Sequence, residues 1–210
     1  MPEDFARNAG EILRSEKPVE ERLKELCNSV SGFVGGGVVS VLLFDRDSED
    51  FYVRTSTQRL HHAAPEVHFA SEGTLEELAL AERRPIILEE RLTPAGSRRQ
   101  GAIMILPLVS SGEPHGVFVV QAVTEAGLPE ERRAVLADVS KLLSDAVGAS
   151  LREESAALRM TKIAAINEAG VNIISTLDLS RLLKLVATSS CLILEAETCI
   201  IRLLDPQTGK

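Results

Sequence analysis

Two β-rich runs, Ala102 to Val109 and Val117 to Val123, are separated only by Ser110 to Gly116, and this pairing constrains the chain more than any other feature. Their valines and isoleucines suit a pleated, half-buried surface. So short a link, containing Gly112, Pro114 and Gly116, forces the two strands to pair antiparallel. Pro107 inside the first run removes a ladder donor, which places it at an edge or a bulge. A similar pair lies upstream: Val38 to Phe44 and Phe51 to Thr57 flank the polar turn Asp45 to Asp50. Short apolar stretches at Val67 to Phe69 and Ile86 to Leu88 complete the β content.

Helices bracket these strands. Phe5, Ala9, Ile12 and Leu13 repeat at helical spacing over residues 4–16. A second helix opens at Pro18, carries Val19, Leu23, Leu26 and Val30 on one side, and ends at Gly35 to Gly37. Thr74 with Glu77 three residues on is a capping-box signature for a short helix through Glu82, stopped by Pro85. A long helix follows Pro129, with Val135, Leu136, Val139, Leu142, Leu143, Ala146 and Val147 as its apolar face. It extends to about Ser175, with possible breaks at Gly148 and Gly170. Hairpin-linked strands with helices gathered at the two ends predict an α+β two-layer domain, an antiparallel sheet with the terminal helices on one face.

Composition narrows the function. The net charge of −8 and the 3% aromatic content disfavour a nucleic-acid partner. No apolar run approaches the roughly 20 residues that span a bilayer, and no secretory signal opens the chain, so no membrane partner and a cytoplasmic location are expected. The scattered Cys27, Cys191 and Cys199 fit small apolar residues better than a disulfide or zinc framework.

The order of elements resembles the GAF family of sensory domains over about residues 15–150. Three places carry the likeness: the helix running into Val38 to Asp45; Glu72 to Ile87, with its glycine-led helix ending in Arg84-Pro85; and Ile105 to Val109 followed by Gly116 to Gln121. The resemblance implies a pocket on the sheet face away from the terminal helices, covered by the loops and short helix of residues 58–100. The tail then starts over. Ser175 to Lys184 is similar to the opening helix of a second such domain, and Cys199 to Asp205 to its first strand. The expected organisation is therefore an N-terminal helix (1–16), a sensor domain (17–150), a helical linker (151–174) and the incomplete start of a second domain (175–210).

Candidate ligand-binding residues are His68, within a short apolar strand, and Arg54, Arg98 and Arg99, whose guanidiniums suit a carboxylate or phosphate. His61 and His62 read as loop residues, and His115 as a solvated residue of a hairpin turn. No metal-ligand spacing and no catalytic constellation is present. Glu76-Glu77 and Glu89-Glu90 read as surface charge. The family's bilin-binding members carry a cysteine near the pocket, and its methionine sulfoxide reductases need cysteines in the central loops; here the complete domain has only Cys27, on the first helix. The reading is a non-enzymatic sensor that binds a small molecule of unknown identity, with cofactor unknown. It would signal through a dimeric helix, carrying Ile163, Ile166, Gly170, Ile173 and Leu177 on one seam, to an output domain beyond residue 210. The alternative is a structural dimerisation module with a vestigial pocket.

Overall fold

The computed structural model describes residues 2–58, 68–92, 99–123, 128–175, 179–194 and 196–202. They divide into two compact units, Met1–Ser150 and Leu151–Lys210.

The first unit opens with α1 (Pro2–Arg14) and α2 (Val19–Phe33). Pro18 stands at the N-cap of α2 rather than inside it, and Glu20 and Glu21 occupy the first turn, where the helix dipole favours acid. The six strands are β1 (Gly37–Asp45), β2 (Asp50–Ser56), β3 (His68–Ala70), β4 (Ile86–Leu92), β5 (Arg99–Ser110) and β6 (Glu113–Val123). They form one antiparallel sheet in the order β3-β2-β1-β6-β5-β4. Helix α3 (Leu75–Glu82) lies between β3 and β4 in sequence, and α4 (Glu130–Ser175) follows β6.

Alternation along the strands divides the core between two faces. Val39, Val41 and Leu43 of β1, Met104, Leu106 and Leu108 of β5, and Phe118, Val120 and Ala122 of β6 are buried on the terminal-helix face. There they meet Leu23, Leu26, Cys27 and Val30 of α2 and Leu136, Val139, Leu143 and Val147 of α4, all buried. Helix α1 is part of this layer and not a separate appendage. Phe5 stacks on Phe33 with ring centroids 4.1 Å apart, and the Arg22 guanidinium donates to the Leu13 carbonyl at 2.6 Å.

Three details of the sheet follow from individual residues. Gly37 has φ 131°, and a Cβ there would stand 1.9 Å from the Gln121 carbonyl oxygen, so only glycine lets β1 start against β6. Pro107 lies where β5 has outrun β4, whose pairing stops at Ile86 opposite Ile105, and a bulge follows between Leu108 and Val109. The β5–β6 connection is tighter than the sequence predicts. Ser111 and Gly112, both at positive φ, make a two-residue turn, and the strands reach Ser110 and Glu113. His115 consequently sits within β6 and is buried, not solvated. Helix α4 covers it at Gly148, a packing that local sequence does not reveal.

Helix α4 passes unbroken through Gly148 and Gly170. In the second unit it continues to Ser175, and α5 (Leu179–Leu194) follows. The expected strand Cys199 to Asp205 is not formed over Cys199–Arg202, which are irregular; the remainder lies outside the described residues. A lone strand leaves its ladder groups without partners unless a neighbour supplies an edge.

Candidate functional site

The face opposite the terminal helices is built from the other half of each strand. Leu42, Phe51, Ile105, Val117 and Val119 form a cluster with Ala79 and Leu80 of α3, and Phe44, Val53, Ile86 and Ile103 pack against it. Local chemistry holds α3 in place. The Glu77 N–H donates to the Thr74 hydroxyl at 3.2 Å, and the Glu77 carboxylate accepts from the Gly73 N–H at 2.8 Å. The Ser71 hydroxyl donates to the Glu49 carbonyl at 2.5 Å, tying the approach to α3 onto the β1–β2 turn. Arg83 ends the helix in the left-handed conformation, φ 53°.

Helix α3 crosses the end of this face near the β1–β2 turn. Beyond it, toward the start of β1, the same face presents Ser40, Val53, Ser56, Ile103, Val119 and Gln121. The register brings them together: Ser40 is opposite both Ser56 and Val119, and Gln121 is opposite both Val38 and Ile103. The Ser40 and Ser56 hydroxyls lie 2.8 Å apart in a shared hydrogen bond. Gln121 is exposed, and its amide offers both donors and an acceptor. The patch is thus an apolar floor with three neutral hydrogen-bonding groups, suited to orienting a small molecule.

These polar residues are not among those the sequence suggested. Their signal was present: Ser40 and Gln121 are single polar residues inside apolar strands, at positions whose neighbours two residues away point inward. The suggested residues fall elsewhere. Arg54 is the extra residue of a bulge in β2, between Thr55 opposite Val41 and Val53 opposite Leu42. Its guanidinium bonds the Glu20 carboxylate of α2 at 2.9 Å, which places it on the terminal-helix face. His68 is opposite Tyr52 across β2 and β3, exposed, with its ring 5.5 Å from the Tyr52 ring. It shares the face of Tyr52 and Leu43, again the terminal-helix side. Arg99 opens β5 with its backbone opposite Leu92. Arg98, His61 and His62 lie outside the described residues.

Other chemistry is limited. Burial pushes the Cys27 thiol up to about 12, so it is a poor nucleophile near neutral pH. The described residues hold no cluster of three or more His, Cys, Asp or Glu able to grip a metal ion, and no helix among them is long and apolar enough to cross a membrane.

A six-stranded antiparallel sheet, floored by terminal helices and crossed by one short helix, defines a two-layer α+β domain of the sensory type. The chain belongs to the GAF domain family, whose profile matches residues 16–147. The fold recurs in the GAF domain of a phosphoenolpyruvate-protein phosphotransferase from Coxiella burnetii, with 15% identity, a TM-score of 0.64, and coverage of 73% of this chain and 96% of that one. The corresponding domain from Acinetobacter gives 17% identity and a TM-score of 0.60, covering 71% and 93%. A free methionine-R-sulfoxide reductase from Neisseria meningitidis gives 15% and 0.58, covering 72% and 91%. None of the curated proteins matches the chain. The family is one of regulatory sensor modules in signalling proteins, and at these identities the structural likenesses speak for fold alone.

Proposed function

We propose that residues 17–150 are a non-catalytic regulatory module that binds a small molecule on the sheet face beyond α3 and signals through α4. The observation that carries this reading is the patch of Ser40, Ser56 and Gln121 on an apolar floor. An apolar floor with a few placed polar groups is the usual lining of a small-molecule site. Helix α4 seats on the β5–β6 hairpin, where Gly148 faces Ser110 and His115, and then runs on past Ser150, so a shift in β6 reaches it directly.

Past Ser150, Leu158, Met160, Ile163 and Ile166 are all exposed. Apolar residues on a helix that leaves its domain favour pairing with a second copy, which makes the working state a cytoplasmic homodimer feeding an output domain of the signalling protein. The output would be a kinase, a nucleotide-signalling enzyme or a transcriptional activator.

Thermal unfolding against cyclic nucleotides, amino acids, organic acids and haem tests the binding. A ligand at a hundred times its dissociation constant adds about 2.7 kcal/mol of stability. The gain should shrink in Gln121→Leu, which keeps the floor apolar and removes the amide. No shift with any compound favours the structural alternative, a dimerisation module with a vestigial pocket.

A further inference from the structure

A groove lies at the β5 edge of the sheet and shares no lining residue with the Ser40–Gln121 patch. Its origin is a mismatch in strand length. Strand β4 begins at Ile86 opposite Ile105, whereas β5 continues to Ser110. From Leu106 onward the outer side of β5 has no strand partner among the described residues. Pro107 has no N–H to offer one. The chain enters β4 through a left-handed turn at Arg83 and then Pro85, and does not fill the gap. Helix α4 crosses above it with small residues where the rest of its inner face carries leucine and valine: Ala137, Ser140 and Ser144. The result is a groove of about 500 Å³.

Its lining is graded. The floor is Leu106 and Pro107, with the buried Ser140 beside them. Arg83 and Lys141 stand at the rim, both exposed. Among the described residues Lys141 pairs with Asp138, 3.0 Å away on the same helix and itself well exposed, a pairing of little worth in water. Asp145, one helical turn on from Lys141, accepts from the Ser110 hydroxyl at 3.3 Å.

We propose that this groove is a second ligand site, for a small organic monocarboxylate. The apolar body would rest on Leu106 and Pro107, and the carboxylate would meet Arg83 and Lys141 through charge-assisted hydrogen bonds. Asp145 repels an anion from the Ser110 side and so directs the carboxylate toward Arg83. With Asp138 on Lys141 and Asp145 in the lining, two cations stand with two acids on a chain of net charge −8, which favours a single negative charge over a phosphate dianion. A ligand here touches α4 itself, so it acts on the signalling helix without engaging the sheet face of the first site.

The probes are hexanoate and benzoate, titrated into the full chain and followed through backbone amide chemical shifts, with 1-hexanol and hexylammonium as controls. The carboxylates should move the amides of Leu106, Leu108, Val109 and Ala137 to Asp145, with little response to the alcohol or the amine. The surface variant Arg83→Ala/Lys141→Ala should bind about tenfold more weakly, the loss expected when charge-assisted contacts go. Ser140→Leu, which fills the groove, should abolish the response; if that variant does not fold, the charge variant decides. Gln121→Leu should leave it unchanged, so failure of the first site is read separately. Equal shifts with hexanol or hexylammonium, unchanged affinity in the charge variant, or shifts centred on Val119 and Gln121 would each overturn the proposal.

Discussion

Replacing glycine by alanine inside a helix normally stabilises it by about 0.8–1 kcal/mol, because glycine loses more backbone freedom on folding. Two glycines of this protein should respond with opposite signs. Gly10, in α1, has room: an added Cβ would meet the Leu142 Cδ1 at 3.7 Å, an ordinary contact. Gly10→Ala should therefore gain close to the full propensity term. At Gly148, in α4, the same Cβ would stand 2.8 Å from Ser110 Cβ, 2.9 Å from His115 Nε2 and 3.0 Å from Ser110 Oγ. Ser110 Cβ is fixed to a strand and His115 is buried, so the helix or the hairpin must move. Such overpacking costs typically about 1–3 kcal/mol, which exceeds the propensity gain and leaves a net loss of about 1 kcal/mol. For a protein of this size that lowers Tm by roughly 2–4 °C. Urea unfolding of both variants beside the parent measures the two signs, with an unchanged m value confirming that stability alone has moved. If Gly148→Ala stabilises as much as Gly10→Ala, the close seating of α4 on the β5–β6 hairpin is wrong.

Phe51 is fully buried between α3 and the sheet, and Phe51→Ala should cost about 3–5 kcal/mol in chemical denaturation. Thr74→Ala removes the N-cap acceptor of α3 and should cost about 1 kcal/mol, with faster amide exchange confined to residues 75–82. Cys27 supplies a pH signature. Its folded thiol is pushed up to about 12 from an ordinary 9.0, so the unfolded chain releases that proton first. The stability it protects is complete below about pH 9 and lost as pH rises toward 12, with a slope of up to about 1.4 kcal/mol per unit. Cys27→Ala should flatten that slope relative to the parent, and an identical alkaline profile in the two proteins would contradict the burial.

Much of the architecture was legible in the chain because it rests on local rules. The run of valines and isoleucines on either side of Ser110 to Gly116 dictates a hairpin, whatever surrounds it. Thr74, Glu77 and Pro85 mark both ends of α3 through hydrogen bonds and ring sterics confined to a dozen residues. The apolar stripe from Val135 to Val147 identifies which side of α4 is buried. These signals need no knowledge of distant partners, so element types and the α+β class emerged without coordinates.

What the chain alone left undecided concerns which face a residue joins and what packs over it. Arg54 and His68 looked like ligand contacts because their residue types suit that work. The bulge at Arg54 and the pairing of His68 with Tyr52 instead turn both toward the terminal helices. His115 resembled a solvated turn residue until Gly148 allowed α4 to close over it. Ser40, Ser56 and Gln121 became one patch only through strand register, which brings together residues as far apart in sequence as Ser40 and Gln121. Face and cover depend on long-range pairing and on the volume available between layers, and those quantities exist only once the whole sheet has assembled.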